Sequence, residues 1–302
     1  MQEPLITVGI PSYNHASFLA EALDSVTKQT YSNLEIIIVE NSSTDNTDEV
    51  LSHFKDPRIS VIKTNNGGSI AMSRNIVLNK SNGDWIAYLD SDDWWTLDKL
   101  HKCAKEFQEG VNLIYHDLIA VNEKKTNNQG NNLRSRRLKK PVFKDLIING
   151  NTIATSSVVV RKSILSEVNG MNESKDLFGI EDFNTWLKIS RITEGFKFIN
   201  RELGFYRVHG SNISNAKKSM PPIEAYNEFL YLLSDQELKA MEYNYNYAFT
   251  RLNYVNGNYS NIRKDLMVLI KHGGVLNRLK SFYMYTMVIL NARKSLCNNP
   301  RT

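Results

Sequence analysis

Apolar and polar positions alternate between two periods along the first half of the chain. Leu5–Ile10 is a short apolar run ended by Pro11, and it reads as a strand. Phe18, Leu19, Ala22, Leu23 and Val26 then recur at helical spacing. Leu34–Glu40 contains an unbroken Ile-Ile-Ile-Val and reads as a buried strand. The alternation continues through a helix at Thr47–Phe54, a strand at Ile59–Lys63 and a helix at Ile70–Leu78. A strand at Trp85–Leu89, a helix at Leu97–Gln108 and a strand at Asn112–Val121 complete it. Strands alternating with helical segments predict an α/β fold, with a mostly parallel sheet and flanking crossover helices.

Beyond Val121 the pattern loosens. Asn122–Lys140 is polar and Asn-rich, and reads as a long loop. Ala154–Arg161 reads as a β-branched strand and Glu181–Ser190 as an amphipathic helix. Phe196–Asn200 and Leu203–Val208 read as two paired strands. From Ile223 to Ala292 the chain is helical, with breaks near Ser234, Gly257 and Gly273-Gly274. Pro221-Pro222 punctuates the change. The division expected is a domain over residues 1–215 and a helical C-terminal region over 216–302.

Composition narrows the classes without naming one. With 302 residues, 41% apolar and 23% charged, the chain is able to bury a sizeable core. Two cysteines, Cys103 and Cys297, build neither a disulfide framework nor a zinc ribbon. The opening residues show no charged-then-apolar leader, and a cytoplasmic protein is expected. The net charge of +5 is uneven. From Leu266 to Thr302 there are six basic residues and no acid, and Lys124–Lys140 holds seven more, again with no acid. Basic segments of this kind suit nucleic acid, anionic lipid or phosphorylated substrates. The tail interleaves its cations with Leu276, Leu279, Phe282, Tyr283, Met284 and Tyr285. Peripheral membrane contact and internal helix packing explain that spacing equally well.

The chemistry concentrates where the fourth strand ends. Ala87-Tyr88-Leu89 runs into Asp90-Ser91-Asp92-Asp93. Ligands of open α/β sheets sit beyond the carboxyl ends of strands. Crowded carboxylates repel each other unless a cation or donors join them, and their hard oxygens suit Mg²⁺ or Mn²⁺ with diphosphate oxygens completing the shell. The plain alternative is an acidic turn that caps the next helix. Pro11 and Tyr13 follow the first strand, Glu40 ends the second, and Arg74 lies in the helix before the fourth. An aromatic, a carboxylate, an arginine and an acidic cluster on one sheet edge suit a nucleoside diphosphate.

These segments resemble the family 2 glycosyltransferases, whose nucleotide-binding fold is of the GT-A type. The resemblance is carried by PSYN at 11–14, IIIVENSSTDNT at 36–47, NNGGSIAMSRN at 65–75 and GDWIAYLDSDDWW at 83–95. It implies that Pro11, Tyr13 and Glu40 form the nucleobase pocket, that Arg74 lies near base and phosphates, and that Asp90 meets the ribose. Ser91 and Asp92 complete the DxD motif, with Asp92 holding a divalent metal, Mn or Mg. One departure is Glu40-Asn41, where the family usually shows Asp-Asp or Asp-Asn. The resemblance further matches Glu181-Asp182 to the family's Glu-Asp motif, in which the Asp is the base and the Glu its neighbour. It matches His209, in Tyr206-Arg207-Val208-His209, to the closing motif whose His approaches the metal or diphosphate. Trp94 and Trp95 are candidates for an acceptor wall, with at least one expected in the core.

The resemblance implies an inverting enzyme moving a hexosyl or N-acetylhexosaminyl group. Its donor is a nucleotide sugar, UDP first, and its acceptor a saccharide or lipid-linked saccharide of surface polysaccharide synthesis. It gives nucleic acid no role. Two readings compete: a nucleotidyltransferase, which needs neither Glu181-Asp182 nor His209, and a silent nucleotide-sugar-binding subunit, indifferent to Asp182→Asn.

Overall fold

A computed structural model of the chain describes residues 3–122, 131–210, 212, 223–259, 262–272 and 274–297. Chain contacts divide it into two compact units. The first takes residues 1–146 and 151–213, and the second takes 147–150 and 214–302.

The first unit is built on a nine-stranded sheet. Its N-terminal half contains β1 (Ile6–Ser12), β2 (Leu34–Glu40), β3 (Ile59–Lys63) and β4 (Trp85–Tyr88). The crossovers between them carry α1 (Ala16–Thr27), α2 (Thr47–Ser52) and α3 (Ile70–Lys80). All pairings here are parallel: β1 lies between β2 and β4, and β3 flanks β2. β1 is buried along its whole length and β2 at every position but one, as both faces require cover. Leu19, Ala22, Leu23 and Val26 of α1 pack with Ile6, Val8 and Ile10 of β1. Fully burying each of the Leu, Ile and Val side chains stabilises the fold by roughly 1.5–3 kcal/mol.

Pro11 does not end β1. It stays in the strand opposite Val39, because β4 pairs with β1 only as far as Gly9. The edge beyond Gly9 is open, so the missing proline N–H removes no ladder bond.

The second half of the sheet mixes directions. It is built from β5 (Trp94–Trp95), β6 (Leu113–Asn122), β7 (Asn131–Leu133), β8 (Val159–Arg161) and β9 (Phe196–Val208). The order is β3-β2-β1-β4-β8-β6-β9-β5, with β7 beside β6. β8 runs antiparallel to β4 and β6, β6 runs parallel to β9, and β5 runs antiparallel to β9.

Three sequence expectations change here. The Asn122–Lys140 loop contains β7, paired with β6, while 123–130 lie outside the described residues. Ala154–Arg161 is strand only at β8, because residues Thr155–Ser157 turn through a 3-10 segment. Phe196–Asn200 and Leu203–Val208 are one strand, not a pair: both halves run along β6, with a register shift between them. The helices α4 (Lys99–Ala104), α6 (Lys162–Glu167) and α7 (Glu181–Ile192) complete the unit, and α5 (Val142–Asn149) begins in it and ends in residues of the second. Neither α5 nor α6 was legible as a periodic segment.

The second unit is helical. A 3-10 segment, Ile223–Leu232, precedes α8 (Asp235–Val255), α9 (Ile262–His272) and α10 (Val275–Cys297). The break at Ser234 is a capping box: its hydroxyl accepts from the Glu237 N–H, and the Glu237 carboxylate accepts from the Ser234 N–H. The break after α8 falls at Gly257, which has φ of +75°. Ile262, Leu266, Met284 and Val288 form the core, with Tyr247, Tyr254, Tyr259 and Tyr285 around it.

Gly83, at the entry to β4, tests the sheet packing. A Cβ there would lie 2.7 Å from the Thr7 nitrogen and 2.8 Å from the Leu5 oxygen, so backbone must move. Gly83→Ala is expected to lower the unfolding free energy by about 1–3 kcal/mol, read from the urea midpoint at constant slope.

Candidate active site

The candidate residues gather at the carboxyl ends of β1, β2 and β4. The loops after β1 and β2 are stitched together. Asn14 N–H donates to Ser43 Oγ at 3.0 Å, Thr44 N–H to Asn14 Oδ1 at 2.7 Å, and Ala16 N–H to Asp45 Oδ2 at 2.9 Å. Asn14 holds φ of 51°, a left-handed conformation that asparagine tolerates better than most side chains. Pro11 and Glu40 are buried beneath these loops, and Tyr13 stands 50% exposed at the rim. Glu40 Oε1 accepts the Ser43 N–H at 2.6 Å, so this longer acid braces its own loop. Asn41 Oδ1 accepts the Asn66 N–H at 2.9 Å, which ties in the Gly67-Gly68 loop.

The centre of the arrangement is Arg74 on α3, with a side chain 3% exposed. Its Nη2 meets Asp90 Oδ1 at 2.6 Å and its Nη1 meets Glu181 Oε1 at 2.8 Å. These partners lie 16 and 107 residues away in sequence. Burial opposes the guanidinium's charge, but Asp90, Glu181 and Asp182 outweigh it and raise its pKa. Glu181 also accepts the Gly179 N–H at 2.7 Å, which fixes the start of α7.

Asp182 is half-buried beside this pair. Thr155 Oγ1 donates to its Oδ2 at 2.9 Å and the Phe183 N–H to its Oδ1 at 2.6 Å. Its pKa is raised to about 6, first by burial and then by the charge of Glu181; Arg74, Thr155 and Phe183 pull the other way. Such a carboxylate is ionised at neutral pH, yet a stronger base than an ordinary aspartate.

The third group surrounds Asp92. Its Oδ2 lies 2.9 Å from His209 Nε2 and 3.3 Å from Asn212 Nδ2. Ser91 Oγ lies 2.7 Å from His15 Nδ1. Arg207 holds the acidic turn from outside. Its backbone N–H donates to Asp93 Oδ1 at 3.0 Å and its Nε to the Asp92 carbonyl at 2.9 Å. Its guanidinium pairs with Glu21 and lies over the Phe18 and Trp94 rings. Asp93 is buried, and burial, then Asp92 and Asp90, push its pKa up.

Asp90 therefore serves Arg74, while Asp92 and His209 form a separate pair. Among the described residues no three His, Cys, Asp or Glu side chains cluster as a metal site. Trp95 is core, with its Nε1 donating to the Ser156 carbonyl at 2.7 Å. Trp94 stacks on Phe205 with ring centroids 4.9 Å apart. Four contributors escaped sequence reasoning: Thr155, Ser156, His15 and Arg207. Thr155 and Ser156 sat within an apparent β-branched strand. The only sequence signal for Arg207 was its place two residues before His209.

This fold is that of the GT-A glycosyltransferases, and comparison with known proteins gives the class. The sequence model of Glycosyl transferase family 2 matches residues 7–168, and the chain belongs to that family. Membership carries the chemistry of the class, inverting transfer from a nucleotide sugar. Among curated relatives, the chain is 31% identical over 217 residues to UDP-Glc:alpha-D-GlcNAc-diphosphoundecaprenol beta-1,3-glucosyltransferase WfaP of Escherichia coli. That match covers 70% of this chain and 81% of the relative. It is 29% identical over 246 residues to the hyaluronan synthase of Pasteurella multocida, covering 81% of this chain but only 24% of that longer protein. Its fold is similar to the mannosyltransferase PcManGT from Pyrobaculum calidifontis in complex with GDP-Man and Mn2+. The TM-score there is 0.57 at 16% identity, over 99% of this chain and 89% of that one.

Arg207→Lys keeps the charge but loses the planar fork that spans Asp92, Glu21 and two rings. Outer supports of a ligand site are typically worth about 10–100-fold in affinity. Calorimetry with a nucleotide diphosphate and Mn2+ is expected to show weaker binding in that range, with the circular dichroism spectrum unchanged.

Proposed function

We propose that this chain moves a hexosyl or N-acetylhexosaminyl unit from a UDP-sugar onto a lipid-linked saccharide in surface polysaccharide synthesis. The observation that carries the reading is the Arg74 bridge. One buried cation joins Asp90, at the end of β4, to Glu181, beside the candidate base. That supports a reading in which acids of the nucleotide side and of the acceptor side share one cation. WfaP, by its name, uses UDP-Glc and a diphosphoundecaprenol-linked acceptor, which supports the same classes here. In this reading the protein acts in the cytoplasm, peripherally at the inner face of the membrane that carries its acceptor.

Each residue then has a task. Tyr13, Pro11 and Glu40 shape the base pocket at the ends of β1 and β2. Arg74 orients Asp90 toward the ribose. Asp182 takes the proton from the attacking acceptor hydroxyl, and Glu181, clamped by Arg74 and the Gly179 N–H, fixes where Asp182 stands. No enzyme nucleophile is needed, and single displacement inverts the anomeric carbon.

The Asp92–His209 pair fits a divalent ion. A carboxylate oxygen and an imidazole nitrogen, 2.9 Å apart and bonded to each other, would be its protein ligands, and Mg²⁺ or Mn²⁺ needs few of these when substrate phosphates supply the rest. Such an ion, when bound, would neutralise charge on the leaving diphosphate. Chelation with EDTA is therefore expected to abolish transfer, and Asp92→Ala to remove the metal-dependent part of nucleotide binding. Full activity in excess chelator would reject Asp92 and His209 as ligands.

Asp182 supplies the second test. A base with a pKa of about 6 loses its function as it is protonated. Below that pH, kcat/KM is expected to fall about tenfold per unit, and above it to level off. Asp182→Asn is expected to lower turnover by ~10²-fold or more and to erase that acid limb, with donor affinity nearly unchanged. Undiminished turnover would remove Asp182 as the base and make Glu181 the next candidate.

A further inference from the structure

The second unit carries an apolar face that its own core does not use. In α10, Ser281, Met284 and Val288 point inward, and Met284 and Val288 join Ile262 and Leu266 of α9 in the core. The opposite face is also apolar. Val275, Leu276, Leu279, Phe282, Tyr283 and Leu290 are exposed, from 45% at Leu290 to 77% at Val275. At 3.6 residues per turn these six fall within an arc of about 120°, opposite the buried face. Sequence alone left two uses open for these side chains, and the structure divides them: Met284 packs, whereas Phe282 and Tyr283 do not.

Charge decides what the outer face suits. Arg278 and Lys280 flank the stripe, one on each side, by the same helical spacing. Arg278 is held in place, because its Nε donates to the Ile270 carbonyl at 2.7 Å and its Nη2 to the Lys271 carbonyl at 3.2 Å. It rims an apolar groove of about 340 Å³ shared with Ile270, Val275, Leu279 and Phe282. No acid occurs in sequence from Leu266 onward. The side chains of Arg293 and Lys294, and all of Arg301, lie outside the described residues. No helix among the described residues is long and apolar enough to cross a membrane.

We propose that the outer face of α10 docks on an anionic lipid surface, with Leu279, Phe282 and Tyr283 among the acyl chains and Arg278 and Lys280 at the headgroups. An apolar stripe with basic flanks is the form that lies in a bilayer interface. Each cation near such a surface adds attraction that salt screens. A second copy of the chain is the poorer occupant. A two-fold contact of α10 on α10 would set cation-flanked stripes against each other, and α10 itself carries no acid to pair them. The inference rests on the proposed membrane-borne acceptor for its setting alone.

Co-sedimentation of the full chain tests it, using vesicles of phosphatidylcholine alone or with one part in three of phosphatidylglycerol. Neither donor nor acceptor is present, so the outcome is independent of the catalytic reading. Binding is expected to the anionic vesicles only and to weaken as salt rises. Lys280→Gln is expected to weaken it several-fold and Phe282→Asp about tenfold or more. Circular dichroism and UDP binding of both variants should match the parent, since neither side chain is buried. Equal binding to both vesicles, no binding at low salt, or indifference to Phe282→Asp would overturn the proposal. A dimer in light scattering that Leu279→Asp dissolves would also overturn it, by giving the face to a second copy.

Discussion

A guanidinium almost sealed from water has to be matched, and the matching of Arg74 organises the catalytic unit. Leaving one partner of a buried ion pair unmatched typically costs about 3–5 kcal/mol. Here the partners come from distant segments: Asp90 follows β4, and Glu181 opens α7. The cation therefore joins two stretches of chain that share no strand pairing. It also explains the state of Asp182. Three carboxylates near one cation leave the group net negative, and the third is the least well matched. Asp182 is neither bonded to Arg74 nor fully hydrated, so burial and Glu181 raise its pKa to about 6. A structural requirement, neutralising a buried arginine with adjacent acids, thus leaves one carboxylate with a raised pKa, which suits the role of base proposed for it.

The parallel half of the sheet and its motifs were legible because their physics is local. Apolar runs followed by Asn and Asp mark strand ends, and in an α/β sheet those ends are where chemistry gathers. The pairings of Arg74 were not legible. Nothing local to Ser73-Arg74-Asn75 says that its partners lie 16 and 107 residues on. Thr155 was hidden for another reason. The three valines of Ala154–Arg161 have strand propensity, yet Thr155–Ser157 turns so that its hydroxyls serve Asp182 and Asp90. Tertiary hydrogen bonding overrode propensity there.

The C-terminal unit shows a different limit. Its breaks at Ser234 and Gly257 follow from a capping box and a left-handed glycine, both readable from one residue type in one place. The faces of α10 were not readable, because the helix is apolar on two sides. Periodicity reports a face by contrast with a polar one. Where Val275, Leu279 and Phe282 lie opposite Met284 and Val288, the contrast cancels, and only packing shows which side is covered.

Asp92 and His209 meet through sheet register as well as through bonds between their own segments. β5 is only two residues long, yet it pairs Trp94 with Phe205 and Trp95 with Gly204 on β9. The acidic turn is therefore anchored at both ends, by β4 before it and by β9 after it. His209 follows the last residue of β9 directly. A one-residue slip of β5 would turn each side chain to the opposite face. Trp95, now core, would leave its bond to Ser156, and Asp92 would move out of reach of His209. Gly204 opposes that slip by close packing, since a Cβ there would lie 2.9 Å from Trp95 Cδ1 and 3.0 Å from Leu118 Cδ2. Arg207 works in the same direction, pinning Asp93 through its backbone N–H and the Asp92 carbonyl through its guanidinium. The separation of the two candidate ligands is thus set by two ladder pairs, a glycine and an arginine. None of these is bonded to the side chain of Asp92 or His209 by the contacts given above, and that is why residue chemistry alone did not mark them.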